Sequence, residues 1–219
     1  MDISPVVFIV DDDRAVAESM ARLLRIEGFV TRTYSSPSEF LVHHEPGVPG
    51  CLITDLIMPD MSGLDLQRAL LTQGCTRPII FVTGRGDIST TVVGMRAGAV
   101  TFLAKPVRRV ELVATVREAI ERDFNARQVH HERERVSQLL ETLTPREHQV
   151  LRLVVTGMLN KQIAAELGAA EKTIKVHRGR LMDKMQVRSA AALAQLLSSH
   201  KLDSYTSAPA SAEEIRHNA

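Results

Sequence analysis

Five short apolar or β-branched runs, at residues 6–10, 30–34, 51–54, 78–82 and 100–103, alternate with amphipathic stretches over the first 123 residues. Runs of this length predict strands, and the segments between them have helical spacing. "RAVAESMARLLRIEG" ends on glycine, and "SPSEFLVHH" starts with Ser36, Pro37 and Glu39 in a capping-box-like order. "SGLDLQRALLTQG", "DISTTVVGMRAGA" and "RRVELVATVREAIER" complete a set of five predicted helices. Parallel strands cannot be joined by tight turns and need crossover helices of this kind. The pattern therefore predicts an α/β unit with a five-stranded, doubly wound parallel sheet, most simply in flavodoxin-like order.

The runs end in chemistry. "FIVDDDRAV" carries the first run into Asp11, Asp12 and Asp13. Two unit charges ~4 Å apart repel by about 4 kcal/mol even at an effective dielectric near 20, so such a cluster requires a cation or a solvated position. In isolation the triplet reads most simply as solvated acids, one of them capping the next helix. An open α/β sheet, however, binds its ligands at the carboxyl ends of the strands. Asp11 and Asp12 follow the first strand, Asp55 the third, Thr83 the fourth and Lys105 the fifth. Three acids, a hydroxyl and an amine on one rim fit a magnesium-assisted phosphoryl acceptor: hard oxygens hold the ion, a carboxylate attacks phosphorus, and Lys and Thr hold the phosphoryl oxygens. For Asp13, helix capping and metal support both remain open.

The rest of the chain differs in pattern and charge. Residues 1–123 hold 13 Lys and Arg against 16 Asp and Glu, whereas residues 124–219 hold 14 against 10. The surplus concentrates in residues 161–188, a charge balance that suits a polyanionic partner. Residues 110–143 contain no Gly or Pro, and their middle, "RQVHHERERVSQ", is nearly all polar, which predicts a charged helix bridging two domains. Thr144-Pro145-Arg146-Glu147 then signals a helix start, and "REHQVLRLVVTG", "NKQIAAELG", "AEKTIKVHRGRLMDKM" and "SAAALAQLL" predict four helices, the second and third turning at Gly168 as a helix-turn-helix. In the third, Ile174, Leu181 and Met185 recur at core spacing, while Lys175, Val176, Arg178 and Gly179 lie on the early turns that a recognition helix presents to base edges. Residues 201–219 are small, polar and aperiodic and are expected to be a disordered tail.

Several other readings fall away. No stretch nears the ~18 uninterrupted apolar residues of a membrane span, and "MDISPVVFIVDDD" lacks the basic start and cleavage site of a signal peptide, so a cytoplasmic protein with no membrane partner is expected. Cys51 and Cys75 fall in a predicted strand and a loop and read as buried or merely tolerated thiols rather than a disulfide or zinc site. His43, His44, His130 and His131 fall in a predicted surface loop and in the linker, with no third ligand type grouped near them, and do not read as a metal site. "TGRGDIS" lacks the third glycine of a dinucleotide loop and follows the fourth strand.

The motifs "VDDD", "ITDLIMPDMSGLDL", "FVTGRGDISTTVVGMRAGAVTFLAKP" and "LTPREHQVLRLVVTGMLNKQIAAELGAAEKTIKVHRGRLMDKM" resemble those of the two-component response regulators. The resemblance spans about residues 5–200 and looks closest to the FixJ branch of the NarL/FixJ group. It implies a phosphoacceptor receiver over 1–123, a helical linker over 124–142 and a LuxR-type helix-turn-helix domain over 143–200. It makes Asp55 the phosphorylated nucleophile, and Asp11 and Asp12, with Asp55 and the backbone carbonyl of Ile57, the Mg2+ ligands. Thr83 then matches the switch hydroxyl, Phe102 the switch aromatic and Lys105 the phosphate-pairing lysine, with Lys105–Pro106 cis. In the second domain Lys175, Val176 and Gly179 match base-facing positions, although some relatives carry a basic residue where Gly179 stands. Arg178 and Arg180 become phosphate or base-edge contacts, and Lys161 and Thr173 backbone-phosphate contacts.

The function so implied is regulatory rather than enzymatic. A sensor histidine kinase phosphorylates Asp55, and the receiver changes surface over residues 88–122. The chain dimerises and binds promoter DNA, engaging RNA polymerase where it activates. Ile57 and Ala104 offer no polar side chain to orient an attacking water, so the phosphoryl group is not expected to be especially short-lived. Two rivals remain. An aspartyl-phosphate hydrolase of the haloacid dehalogenase type would want a second aspartate two residues after the nucleophile, where Ile57 stands; a regulator acting without phosphorylation usually has a broken pocket.

Overall fold

The computed structural model describes residues 4–84 and 101–199. The chain divides into two compact units after Arg127. In the first, β1 (Val6–Val10), β2 (Val30–Tyr34), β3 (Gly50–Asp55), β4 (Ile79–Thr83) and β5 (Thr101–Ala104) form a parallel sheet in the order β2-β1-β3-β4-β5. This is the doubly wound sheet that the alternation of runs predicts. Three strands end one residue later than their apolar runs: Asp55 still pairs with Val82, and Thr83 with Ala104. At β3 and β4 the hydrophobic run stops at a polar side chain, Asp55 and Thr83, but the backbone ladder continues.

Side chains alternate across the sheet, so β1 feeds two cores. Val7 and Ile9, with Cys51, Ile53, Ile80 and Val82, pack on Ala17, Met20 and Leu24 of α1 (Arg14–Ile26) and on Leu112, Val116 and Ala119 of α4 (Arg109–Glu141). On the other face Val6, Phe8 and Val10, with Leu52 and Phe81, meet Phe40 of α2 (Pro37–His43) and Leu66 and Leu70 of α3 (Gly63–Thr72). Burying each large apolar side chain contributes about 1.5–3 kcal/mol, which makes β1, buried along its whole length, the centre of the unit. The helix predicted over 87–99 and the tail over 201–219 lie outside the described residues.

Local signals set the helix starts. Asp13 is the N-cap of α1, its Oδ1 accepting from the backbone N–H groups of Ala15 and Val16 at 2.9 and 3.3 Å, which is the capping role the sequence offered for it. Ser36 caps α2 as expected, but the Glu39 carboxylate accepts from the N–H and hydroxyl of Ser35 rather than closing the box on Ser36. Ser62 and Asp65 make the full reciprocal box at α3.

The helix α4 is continuous for 33 residues, and the division between units falls within it. Asp123 is buried and accepts from the N–H of Gly50 at 2.8 Å and from Arg127 Nε at 2.7 Å. Arg127 also donates to the carbonyls of Pro46, Gly47 and Val48. The first unit therefore grips the helix through Arg127, four residues past the expected receiver end at 123. Val136 and Leu140 are buried in the second unit's core, and residues 128–134 between these anchors bury no side chain.

In the second unit α5 (Pro145–Val155), α6 (Asn160–Glu166), α7 (Glu171–Lys184) and α8 (Ala190–Ser199) close around Val150, Leu151, Ile163, Ile174, Leu181 and Leu193. Thr144 and Glu147 cap α5 reciprocally, with Pro145 in its first turn. Gly168, at φ +60°, makes the turn between α6 and α7, a conformation that glycine adopts without a Cβ penalty. Among the described residues no helix is long and apolar enough to cross a membrane.

Candidate functional site

Strand register assembles the acidic rim. Val10 pairs with Thr54, so Asp11 emerges beside Asp55; Asp55 pairs with Val82, so Thr83 follows at the end of β4; Thr83 pairs with Ala104, so Lys105 follows β5. One carboxylate oxygen from each of Asp11, Asp12 and Asp55 lies within 4.8 Å of the others. Lys105 Nζ donates to Asp11 Oδ2 at 2.8 Å and to Asp55 Oδ2 at 2.6 Å. The peptide bond from Lys105 to Pro106 is cis, as the resemblance implies. Gly63 brings α3 against this rim: a Cβ there would lie 2.4 Å from the carbonyl oxygen of Asp55, so a larger residue would push the helix away.

Burial and charge compete within the rim. Asp11 is fully buried, and desolvation raises its pKa above the usual carboxylate value despite the hydrogen bonds from Lys105 and the Asp13 N–H. Burial works to lower the pKa of Lys105, but its hydrogen bonds to Asp11 and Asp55, and their charge, raise it overall. Lys105 is thus a firm ammonium. Three hard oxygen donors suit a small divalent cation, so the donor set fits a magnesium site. The Ile57 N–H donates to Asp55 Oδ1 at 3.2 Å, while its side chain is 72% exposed. Thr83 is buried, and Phe102 is half-buried and stacks on Phe81 with ring centroids 4.9 Å apart.

The basic helix divides cleanly into faces. Ile174 and Leu181 of α7, and Met185 just beyond it, are buried as their spacing predicts, while Thr173, Lys175, Gly179 and Arg180 are exposed and Val176 is 47% exposed. Lys161 stands exposed on the first turn of α6. Arg178 is different: it is half-buried, and its Nη1 donates to Asn160 Oδ1 at 3.0 Å, bracing α7 on the start of α6. Lys184 also has a structural partner, donating to Glu147 Oε2 at 2.7 Å and to the Thr142 carbonyl at 2.8 Å. No sequence signal marks either contact, because each joins residues at least 18 positions apart without periodicity.

Two family models match the chain: the response regulator receiver domain over residues 7–117, and the luxR family of bacterial regulatory proteins over residues 141–197. Nodulation protein W of Bradyrhizobium diazoefficiens is 44% identical over 191 residues, covering 87% of this chain and 84% of that protein. The transcriptional regulatory protein FixJ of Azorhizobium caulinodans is 37% identical over 193 residues, covering 87% and 90%. A solved structure of the response regulator StyR superposes with a TM-score of 0.81 at 44% identity, covering 89% of this chain and 98% of that one. These likenesses run through both units rather than one, and the chain belongs to the NarL/FixJ family of two-component response regulators.

Proposed function

We propose that Asp55 is the phosphoryl acceptor through which this regulator controls transcription. The observation that carries the reading is the placement of Lys105 Nζ between Asp11 and Asp55, which puts a cation and the acid cluster on one rim. Asp11, Asp12 and Asp55, with the main-chain carbonyl of Ile57, are the residues that would hold Mg2+. When bound there, the ion supplies positive charge against the crowding of carboxylate and phosphoryl oxygens. An oxygen of Asp55 forms the bond to phosphorus as the nitrogen of a kinase phosphohistidine departs. Lys105 pairs with a phosphoryl oxygen, the Thr83 hydroxyl hydrogen-bonds another, and Phe102 repacks with it.

The altered receiver then associates with a second copy in the cytoplasm, and α7 enters the major groove of promoter DNA. Lys175, Val176 and Gly179 face the bases, while Lys161, Thr173 and Arg180 contact the phosphates. Arg178 holds the angle of α7 while its remaining N–H groups reach the DNA. RNA polymerase is engaged where the promoter is activated. The test is titration of a duplex selected by the full chain, with and without a small phosphodonor and Mg2+. Tighter binding together with dimerisation is expected, whereas equal affinity in both states would overturn phosphorylation as the control.

A further inference from the structure

The fold gives no reason for a glycine at position 179. It lies within α7, its backbone is outside the left-handed region, and a Cβ built on it would meet no atom within 4 Å. Glycine is the costliest residue after proline in a helix interior, so this one weakens α7 without serving packing or turn geometry. Its surroundings are specific. Val176, one turn earlier on the same face, leaves 47% of its surface exposed. Lys175 and Arg180 are exposed beside this pair. The outward face of the helix therefore carries a short uncharged gap at Val176 and Gly179, with Lys175 and Arg180 at its sides and the exposed Lys172 and Asp183 one turn beyond its two ends, and the burial of Ile174 and Leu181 on the opposite side keeps it outward.

We infer that this gap accepts the 5-methyl group of a thymine, and that Gly179 is a specificity-determining residue. The inference rests on α7 being the helix that reads DNA. In the major groove only the thymine edge presents an apolar group; the other base-edge groups there are hydrogen-bond donors and acceptors. A methyl packed against Val176 needs the space beside it, and any side chain at 179 would fill that space. Without one, the helix backbone comes close enough for contact, while Lys175 and Arg180 engage the neighbouring bases or phosphates.

The experiment uses the full chain with phosphodonor and Mg2+ and a duplex it selects from a random pool. Each thymine of that duplex is replaced in turn by deoxyuridine, which removes only the methyl. One thymine in each half-site is expected to be sensitive, its replacement weakening wild-type binding about three- to ten-fold. Gly179→Ala is expected to bind the thymine duplex at least ten-fold more weakly and to lose the distinction between thymine and uracil there, with no fall in thermal midpoint. Lys161→Ala should weaken binding yet keep that distinction. A flat scan on a selected duplex, or a thymine preference unchanged in Gly179→Ala, overturns the inference alone. Failure to select any duplex overturns the reading of α7 as the DNA-reading helix.

Discussion

Lys105 Nζ lies 2.6 Å from Oδ2 of Asp55, joining residues 50 positions apart at the ends of β5 and β3. The same ammonium reaches Asp11 at 2.8 Å, so one cation partly offsets two of the three carboxylates on the rim. The rim is set by strand register, which brings the carboxylates of Asp11 and Asp55 and the ammonium of Lys105 to the ends of neighbouring strands. Such placement lowers the reorganisation that group transfer requires.

The first prediction concerns the acceptor. Incubation of the full chain with a small phosphodonor and Mg2+ should give an acid-labile phosphoryl group, detected by mass or by phosphate-affinity electrophoresis. Asp55→Asn should abolish it, and chelation of the metal should abolish it in the wild type. Labelling that survives the substitution would move the acceptor away from Asp55.

The second concerns the helical unit, where Glu147 is 2% exposed. Burial favours its protonated form, but the hydrogen bond from Lys184 and those from the Thr144 N–H and hydroxyl outweigh it, bringing the carboxyl down from 4.5 to about 2. A depressed folded-state pKa gives stability that is complete above about pH 4.5 and is lost as pH falls toward 2. Lys184→Met should cost about 1–3 kcal/mol at neutral pH, since it leaves the buried Glu147 carboxylate without its cationic partner, with only the Thr144 hydrogen bonds remaining. Hydrogen exchange at the core amides of Val150 and Leu181 in the full chain measures this, and the gap between variant and wild type should narrow in acid. A gap independent of pH would assign the effect to packing of the lysine stem.

Much of this was legible in the sequence, because strands, caps and the acidic rim are written in local or periodic patterns. "FIVDDD" shows where β1 ends, and the doubly wound order then brings Asp55, Thr83 and Lys105 to the same edge. Non-periodic, long-range side-chain pairing was not legible. Arg127 reads as one more charge in a polar helix, yet it binds Asp123 and three carbonyls of the turn before β3, which carries the receiver's hold on α4 past residue 123. Arg178 reads as a DNA contact from its place in a basic helix, and only the position of Asn160 shows that it also braces that helix.

The third prediction separates reading from holding. The basic surplus of residues 161–188 implies counterion release on binding, so affinity should fall steeply with salt. Lys175→Ala should cost about 1–3 kcal/mol on the selected duplex and less on random DNA if it contacts a base. Lys161→Ala should weaken both alike and reduce the salt slope by about one. Equal losses for Lys175→Ala on the two duplexes would make it a phosphate contact.

The last prediction joins phosphorylation to DNA. A phosphoryl group shifts a conformational equilibrium only through contacts that differ between the two states. Thr83 is placed for such a contact: it ends β4, is buried, and its carbonyl accepts from the Lys105 N–H at 2.8 Å, so movement at either residue is felt by the other. Beside it, Phe102 of β5 stacks on Phe81 and is only half-buried, leaving the ring room to change its packing. The surface expected to respond, residues 88–122, lies partly outside the described residues; its described part is β5 and the first turns of α4, the helix that continues to Glu141. Phosphorylation should therefore strengthen self-association and operator binding together, with a coupling of about 1–3 kcal/mol. Thr83→Ala should still be phosphorylated at Asp55, because the acceptor and Lys105 remain, yet lose most of that coupling. Sedimentation and operator titration of the phosphorylated variant measure both halves: full coupling in Thr83→Ala would show that the signal leaves the pocket by another residue.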